Sequence, residues 1–344
     1  MVKVVYFNVD AITKAYYEKN PLKADAETVF FEQSPDALSD AEFEKIKNAE
    51  VLSVFVSSID VGEKILRRFP KLKLIAVRST GYNNIDLDYC RAHGIELVNV
   101  PGYGDSTVAE YAIGLLLVLT RKINRAFHDM KKGDVRTADY LGFDLKGRTI
   151  GVIGTGAIGR YMIRLAKGFD MEVLAYDPYP NEKTAQEMGF AYVSKDELLE
   201  KSDVVSLHCP MTKENYHLLD KDAFKKMKDG VIVLNTARGE LIDTEELYKA
   251  VNAGKVGGAG LDVLEYETSV IHDDLFLASA KAQGADSLLR SLINHRLMQL
   301  PNVIVTPHVA FNSIDAVHRI LKTANDNIVS FLAGKTVNSV LNKQ

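Results

Sequence analysis

Apolar runs alternate with helix-like segments through the first hundred residues. Asp40–Lys47 and Val61–Arg68 have helix-like patterns and lie between such runs. Strands that alternate with helices are typical of a parallel sheet covered on both faces. The pattern therefore predicts one complete small α/β domain, with strands at Val2–Phe7, Thr28–Phe31, Val51–Val56, Leu72–Val77 and Ile95–Val100.

A second alternation begins near residue 149. Before it, Pro101-Gly102-Tyr103-Gly104 breaks the first pattern, and a broad apolar face predicts one long helix from Val108 to Lys131. Six further strands are predicted, at Ile150–Ile153, Val173–Tyr176, Val204–Leu207, Val231–Leu234, Ala259–Val263 and Val303–Thr306. Six is the strand number of a full doubly wound dinucleotide-binding domain.

The chain ends in one more predicted helix, Ser313–Leu332, which cannot form a domain alone. We expect it to return to the first domain, so that the second domain is an insertion. The predicted domains are then residues 1–100 with 310–344, and residues 101–309. Residues 275–300 are predicted to form one or two structural helices on the second domain.

A glycine-rich turn joins the first two strands of the inserted domain. Gly154 permits a tight turn, Gly156 lets a pyrophosphate approach the backbone, and Gly159 lets the helix pack close to the strand. Asp177 follows the next strand, where a carboxylate would bind the adenosine ribose hydroxyls and repel a 2′-phosphate. The stretch predicts binding of NAD, not NADP.

Composition narrows the partners and the compartment. The chain has 344 residues, enough for about two domains, and a formal net charge of −4, which gives no argument for nucleic acid binding. Cys90 and Cys209 are too few for a disulfide framework and show no metal-ligand spacing. The first residues have no secretory pattern, and the longest apolar run, Ile113–Leu119, is too short to cross a membrane. We expect a cytoplasmic protein that binds no metal and no membrane.

Three charged side chains follow predicted strands of the inserted domain. Arg238, Glu267 and His308 come after the strands that begin at Val231, Ala259 and Val303. Because ligands bind at the carboxyl ends of strands in open α/β sheets, these are candidate catalytic residues. Glu265 shares the acidic stretch with Glu267, and we expect one of the two to face solvent.

The motifs around these residues resemble the NAD-dependent D-2-hydroxyacid dehydrogenase family. They are GTGAIG, HCPMTKENYHLL, NTARGELIDTEEL, LDVLEYE and VTPHVAF, and the spacing of Arg238 and Glu267 selects Glu267 over Glu265. VRSTGYNNIDLDYC, VNVPGYG and TVAEYAIGLLLVLTRKINRA resemble the D-lactate dehydrogenase branch. The resemblance implies a Rossmann NAD-binding domain inserted into a flavodoxin-like substrate-binding (catalytic) domain. It also implies a homodimer, built on the helix near Val108–Arg125.

The resemblance assigns a role to each candidate residue. His308 would be the general acid, Glu267 would support its imidazolium, and Arg238 would hold the substrate carboxylate. Backbone N–H groups near Thr80 and Gly81 would complete the carboxylate site, with Tyr103 and Phe311 as pocket walls. His208 would line or support the nicotinamide pocket, whereas His217 and five other histidines are expected at the surface. The implied cofactor-binding residues are Gly154, Gly156, Ala157, Ile158, Gly159, Asp177, Cys209, Pro210, Asn215, Thr236, Ala237 and Asp262.

Three activities fit this resemblance. Reduction of pyruvate to D-lactate is the first. Ser57 replaces a bulky aromatic that many D-lactate dehydrogenases carry on the substrate side, so a broader, D-hydroxyisocaproate-like reductase is the second. The third is an NAD-sensing corepressor-like binding protein, which the D-lactate branch motifs disfavour. Phosphoglycerate dehydrogenase would want additional basic residues for the phosphate.

Overall fold

The computed structural model describes residues 1–55, 61–82, 84–133, 135–266 and 289–341. Two compact units make up the chain. The first unit combines Met1–Tyr103 with Ser313–Gln344, and the second unit is Gly104–Asn312. Ser57, Glu267 and most of the 275–300 segment lie outside the described residues.

The first unit is a five-stranded parallel sheet with helices on its faces. Its strands are β1 (Val2–Tyr6), β2 (Ala26–Phe30), β3 (Val51–Val54), β4 (Leu74–Val77) and β5 (Glu96–Val98). Their order is β2-β1-β3-β4-β5, the flavodoxin-like order. The helices are α1 (Ala11–Lys19), α2 (Asp40–Glu44), α3 (Glu63–Leu66), α4 (Leu87–Ala92) and, from the end of the chain, α13 (Ile314–Leu332), with a 3₁₀ turn at Pro35–Ala37.

The second unit is a seven-stranded parallel sheet. Its strands are β6 (Thr149–Ile153), β7 (Glu172–Tyr176), β8 (Ala191–Tyr192), β9 (Val204–Leu207), β10 (Val231–Asn235), β11 (Val256–Leu261) and β12 (Val303–Val305). The order β12-β11-β10-β9-β6-β7-β8 is the Rossmann order extended by one strand. The helices are α5 (Asp105–Thr120), α6 (Ile123–Lys132), α7 (Ala157–Gly168), α8 (Glu182–Met188), α9 (Lys195–Lys201), α10 (Lys221–Lys226), α11 (Thr244–Asn252) and α12 (residues 289–298). Short 3₁₀ turns lie at Thr137–Tyr140, Lys213–Asn215 and Gly239–Leu241.

These two parallel sheets confirm the predicted fold class. The strands β3, β4, β9 and β10 are buried along their whole length, because helices cover both faces of a parallel sheet. In the part of the chain that the structure describes, no helix is both long enough and apolar enough to cross a membrane.

Two sequence predictions about elements were wrong. The single helix predicted at Val108–Lys131 is two helices, α5 and α6. The carbonyl of Thr120 accepts the N–H of Phe143 at 3.2 Å, and Lys122 adopts a left-handed φ of 50°, so the helical ladder ends there. The second unit has seven strands where six were predicted, because the two-residue strand β8 is too short to show an apolar periodicity.

Candidate active site

The glycine turn after β6 has the geometry that a dinucleotide requires. Gly154 has a φ of +94°, and a Cβ there would lie 2.6 Å from the carbonyl oxygen of His208. A Cβ on Gly159 would lie 2.0 Å from the carbonyl oxygen of Gly154. A Cβ on Gly156 would meet no described atom within 4 Å, so open space faces this glycine.

Gly156 is also the N-cap of α7, and no side chain caps this helix end. The first-turn N–H groups of Ala157 and Ile158 have no intrahelical acceptor, because every α-helix leaves its first N–H groups unpaired. Bare N–H groups and the positive end of the helix dipole suit a pyrophosphate. The turn and α7 together therefore fit the phosphates of NAD.

Asp177 is fixed beside this turn. Its Oδ2 accepts the backbone N–H and the hydroxyl of Thr155, at 2.7 and 2.9 Å, and its Oδ1 accepts the N–H of Tyr179 at 2.9 Å. The hydroxyl of Tyr192 lies 2.8 Å from that of Thr155. Sequence reasoning missed both supports. Thr155 sits inside the glycine motif and could have been found there, whereas Tyr192 is on the unpredicted β8.

The loop after β9 carries Cys209, Pro210 and Asn215. The Asn215 side chain donates to the carbonyl of Pro210 at 2.7 Å and accepts the N–H of Thr212 at 2.7 Å, which closes the loop on itself. Burial raises the pKa of the Cys209 thiol to about 11, so this side chain is a neutral thiol near neutral pH. Cys209, Pro210 and Asn215 thus offer backbone groups and neutral side chains.

His208 precedes this loop and is held as a neutral imidazole. Its Nε2 lies 2.8 Å from the hydroxyl of Ser206. Its Nδ1 is buried without a hydrogen-bond partner among the described residues. Burial lowers the pKa of His208 to about 4. A ring of this kind can accept or donate a hydrogen bond but does not carry a proton charge at neutral pH.

Asn235, at the end of β10, organises the turn that carries Arg238. Its side chain donates to the carbonyl of Arg238 at 2.8 Å and accepts the N–H of Ala237 at 3.0 Å. The Thr236 hydroxyl is buried without a partner in the described ranges. The half-buried Arg238 guanidinium donates to the carbonyl of Ala237 at 2.6 Å, which leaves most of its donors for a ligand.

Gly239 brings this turn against the chain that follows β11. A Cβ on Gly239 would lie 2.1 Å from the carbonyl carbon of Leu264. Only a glycine lets the two backbones approach this closely. The position of Arg238 is therefore tied to that of residues 264 and 265.

Asp262 organises the loop that carries His308. Its buried carboxylate accepts the Thr306 hydroxyl at 2.5 Å and the N–H groups of Val309 and Ala310 at 3.0 and 2.8 Å. Its carbonyl accepts the N–H of His308 at 2.9 Å, and His308 has a left-handed φ of 54°. Burial raises the pKa of Asp262, although these hydrogen bonds and His308 oppose the rise. Sequence reasoning assigned Asp262 to the cofactor, and the structure shows its carboxylate oxygens turned to the His308 loop.

Glu265 is buried in a network of charged groups. Its carboxylate lies 2.7 Å from His217 Nε2 and 3.1 Å from Arg290 Nη1, and Asn294 donates to its carbonyl at 2.7 Å. The other ring nitrogen of His217 lies 3.4 Å from Asp243. The prediction of a surface His217 was wrong, because the acidic partners that hold it are distant in the sequence. Of the two glutamates in the acidic stretch, Glu265 does not face solvent, and Glu267 lies outside the described residues.

In the first unit, the loop after β4 presents open N–H groups. The carbonyl of Ser79 accepts the N–H of Val100 at 2.9 Å, and the carbonyl of Thr80 accepts the Asn99 side chain at 2.7 Å. The carbonyl of Gly81 accepts the Ser79 hydroxyl at 2.6 Å. The N–H groups of Thr80 and Gly81 donate to no described residue. Two successive N–H groups without an acceptor leave donors that an anion can use.

The remaining predicted residues are half-buried. The carbonyl of Tyr103 accepts Arg319 Nε at 2.7 Å, which ties the end of the first segment to α13. Phe311 follows the His308 loop, three residues before α13 begins. Within the second unit, Arg238 and His308 both lie at the carboxyl edge of one sheet, after β10 and β12, which flank β11. This edge also carries the glycine turn after β6.

Known proteins resemble the chain over nearly its whole length. A family model for the NAD-binding domain of D-isomer specific 2-hydroxyacid dehydrogenases matches residues 113–310. A D-lactate dehydrogenase of Escherichia coli is 39% identical over 83% of this chain and 84% of its own. The structure of a D-lactate dehydrogenase from Aquifex aeolicus, complexed with NAD and lactic acid, is similar at a TM-score of 0.83 and 34% identity, with 99% and 100% of the two chains covered. A D-2-hydroxyisocaproate dehydrogenase structure gives a TM-score of 0.84 at 30% identity, over 99% and 100%.

Proposed function

We propose that this chain reduces pyruvate to D-lactate. The chain belongs to the D-isomer specific 2-hydroxyacid dehydrogenase family, and its cofactor is NAD. The observation that carries the proposal is the common sheet edge that bears the glycine turn, the Arg238 turn and the His308 loop.

The cofactor would be held by the second unit. Gly154, Gly156 and the N–H groups of Ala157 and Ile158 would bind its pyrophosphate, and Asp177 its ribose hydroxyls. The loop of Cys209, Pro210 and Asn215 and the unpaired Thr236 hydroxyl would meet the rest of it. Bound NADH supplies a hydride to the carbonyl carbon of the substrate.

The substrate anion has two kinds of recognition group. The open N–H groups of Thr80 and Gly81 suit a carboxylate oxygen, since they lack acceptors of their own within the described chain. The Arg238 guanidinium offers a planar fork that suits a carboxylate and polarises a carbonyl oxygen. Tyr103 and Phe311 would enclose the substrate side chain.

The proton comes from His308. An imidazolium can protonate the oxygen that develops negative charge as the hydride arrives, and the neutral ring can take the proton back in the reverse reaction. Glu267 would bind the other ring nitrogen and favour the charged form. Asp262 supports the same ring through the backbone of its loop and through its charge.

We propose a homodimer as the working form. α6 has no buried residue, and Ile123, Phe127 and Met130 on it are 50%, 54% and 67% exposed. An apolar helix face this exposed is typical of a protein interface. A second copy of the chain can cover it by two-fold symmetry.

The decisive experiment is NADH oxidation with a panel of pyruvate, 2-ketobutyrate, 2-ketoisocaproate and phenylpyruvate. We expect the highest kcat/KM with pyruvate, a D-configured product, and a strong preference for NADH over NADPH. A higher kcat/KM for 2-ketoisocaproate would favour the broader reductase that Ser57 leaves room for. NADH binding without turnover of any keto acid would contradict an enzymatic role.

A further inference from the structure

Three asparagine side chains connect the end of the chain to the loop that carries Thr80 and Gly81. We propose that Asn338, Asn327 and Asn99 are positioning residues, which fix the direction of the Gly81 N–H group toward a substrate carboxylate. This inference rests on the proposed function, because it concerns the carboxylate that this N–H group would bind together with that of Thr80.

The connection is continuous. Asn338 Nδ2 donates to Asn327 Oδ1 at 2.8 Å, and Asn327 Nδ2 donates to the carbonyl of Asn99 at 2.8 Å. Asn99 Nδ2 then donates to the carbonyl of Thr80 at 2.7 Å. The N–H of Asn99 donates back to the carbonyl of Asn338 at 3.2 Å. A series of amide hydrogen bonds therefore connects Asn338 to the loop.

The geometry of the peptide group means that these hydrogen bonds also determine where the neighbouring N–H groups point. In a trans peptide the carbonyl and the following N–H point in opposite directions. Because Asn99 holds the carbonyl of Thr80, the N–H of Gly81 must point away from Asn99. In the same way, Val100 holds the carbonyl of Ser79 and sets the direction of the Thr80 N–H. Both N–H groups are thus fixed before any ligand arrives.

A positioning role explains why a buried residue of α13, residue 327, is an asparagine. Asn327 is 1% exposed on α13, on the face that also buries Ala324 and Ile328. Asparagine is a poor residue for a helix interior, and a buried amide is costly unless both of its ends are bonded. A purely apolar face would pack α13 at lower cost. The amide is retained where it reaches the backbone beside the loop.

Asn325 provides a matched control on the same helix. It is also a buried asparagine, and its Oδ1 accepts the Tyr6 hydroxyl at 2.9 Å. Among the described residues, Asn325 has no hydrogen bond to Ser79, Thr80 or Gly81. Asn325→Ala therefore removes a buried amide and its hydrogen bond from α13 without touching the connection.

The test measures binding of oxamate, an unreactive amide analogue of pyruvate with the same carboxylate, to the full chain saturated with NADH. We expect Asn327→Ala and Asn338→Ala to weaken oxamate binding about tenfold, the effect of one lost or misdirected hydrogen bond. Asn325→Ala should leave it within about twofold. NADH affinity should stay unchanged in all three, because its proposed site is in the other unit.

A second readout separates positioning from general loss of stability. The kcat/KM for pyruvate should fall in Asn327→Ala relative to that for methyl pyruvate, which has no carboxylate charge. Equal weakening of oxamate binding by Asn327→Ala and Asn325→Ala, or none in either, would overturn the inference. A wild-type protein that binds oxamate but turns over no keto acid would contradict the proposed function alone.

Discussion

Two histidines that follow strands of the second unit have opposite surroundings. His208 lies against Ser206 and is buried, which lowers its pKa to about 4. His308 lies in a loop tied to the carboxylate of Asp262, whose charge favours a cationic ring. This difference is why we propose His308, and not His208, as the proton donor.

We expect His308→Ala to lower kcat for pyruvate reduction about 10²–10⁴-fold, the usual contribution of a positioned acid–base group. Reduction by the wild type should fall as pH rises, since it uses the imidazolium. Oxidation of D-lactate should rise as pH rises, since it uses the neutral ring. The exposed His93→Ala is the control. A His308→Ala enzyme that keeps more than about a tenth of wild-type kcat would exclude this role.

His208 should make the fold sensitive to acid. Its pKa of about 4 in the folded chain lies below the value of about 6.5 that an unfolded chain gives it. Between these values the unfolded chain binds a proton that the folded chain does not. The free energy of unfolding should therefore fall as pH decreases from about 6.5 to about 4, by at most about 1.4 kcal/mol per unit from this residue.

Urea unfolding over that pH range checks the prediction. His208→Gln should flatten the dependence relative to the wild type, whereas the exposed His318→Gln should not. Parallel profiles for wild type and His208→Gln would show that His208 is not the source.

At the scale of elements, close backbone contact joins the Arg238 turn to the segment after β11. We expect Gly239→Ala to separate the two, because its Cβ would lie 2.1 Å from the carbonyl carbon of Leu264. The variant should lose at least about 2 kcal/mol of stability and most of its activity. Gly168→Ala, where a Cβ meets nothing within 4 Å, is the matched control. Thermal melts and kcat/KM together measure the effect, and a Gly239→Ala enzyme as stable as Gly168→Ala would refute it.

The Glu265 network ties Arg290 and Asn294 of α12 to the same segment. Glu265→Gln would leave Arg290 and His217 beside a buried neutral amide. We expect a loss of about 3–5 kcal/mol, as for other buried ion pairs that lose one partner. Glu245→Gln, which removes a surface carboxylate near Lys249, should change stability by less than about 1 kcal/mol. Denaturant unfolding measures the loss of stability in both variants. Equal small losses would show that Glu265 is not structurally important.

A feature of this fold could be predicted from the sequence where it leaves a pattern in neighbouring residues. Parallel strands buried on both faces are continuous apolar runs, so β3, β4, β9 and β10 could be read from the sequence. β8 could not, because two residues are too few to show a period. The break at Lys122 could not, because it depends on a hydrogen bond from Phe143, far along the chain, to Thr120. The same holds at the site. Glycines and strand-end charges were visible, while Asn99 and Tyr192 gain meaning only from distant contacts.

For the whole molecule, the exposed face of α6 predicts the oligomeric state. We expect the wild type to be a dimer at micromolar concentration and Phe127→Asp to be a monomer, because a carboxylate would be buried without a partner in the interface. Light scattering measures both masses, with Asn124→Asp at an exposed position of α6 as the charge-matched control. A monomeric wild type would contradict the proposed interface.

The first unit is made from the two ends of the chain. The N–H of Val340 donates to the carbonyl of Leu97, and Asn338 and Asn327 reach Asn99. On the ribosome, residues 1–103 are finished long before Ser313–Gln344 emerge. At about 5–20 residues per second, the wait lasts tens of seconds, and the inserted unit can fold during it. Throughout that interval the apolar surface of β4 that α13 later covers is exposed to solvent and to chaperones. The order of synthesis thus lets the NAD-binding unit mature before the loop that we propose binds the substrate carboxylate.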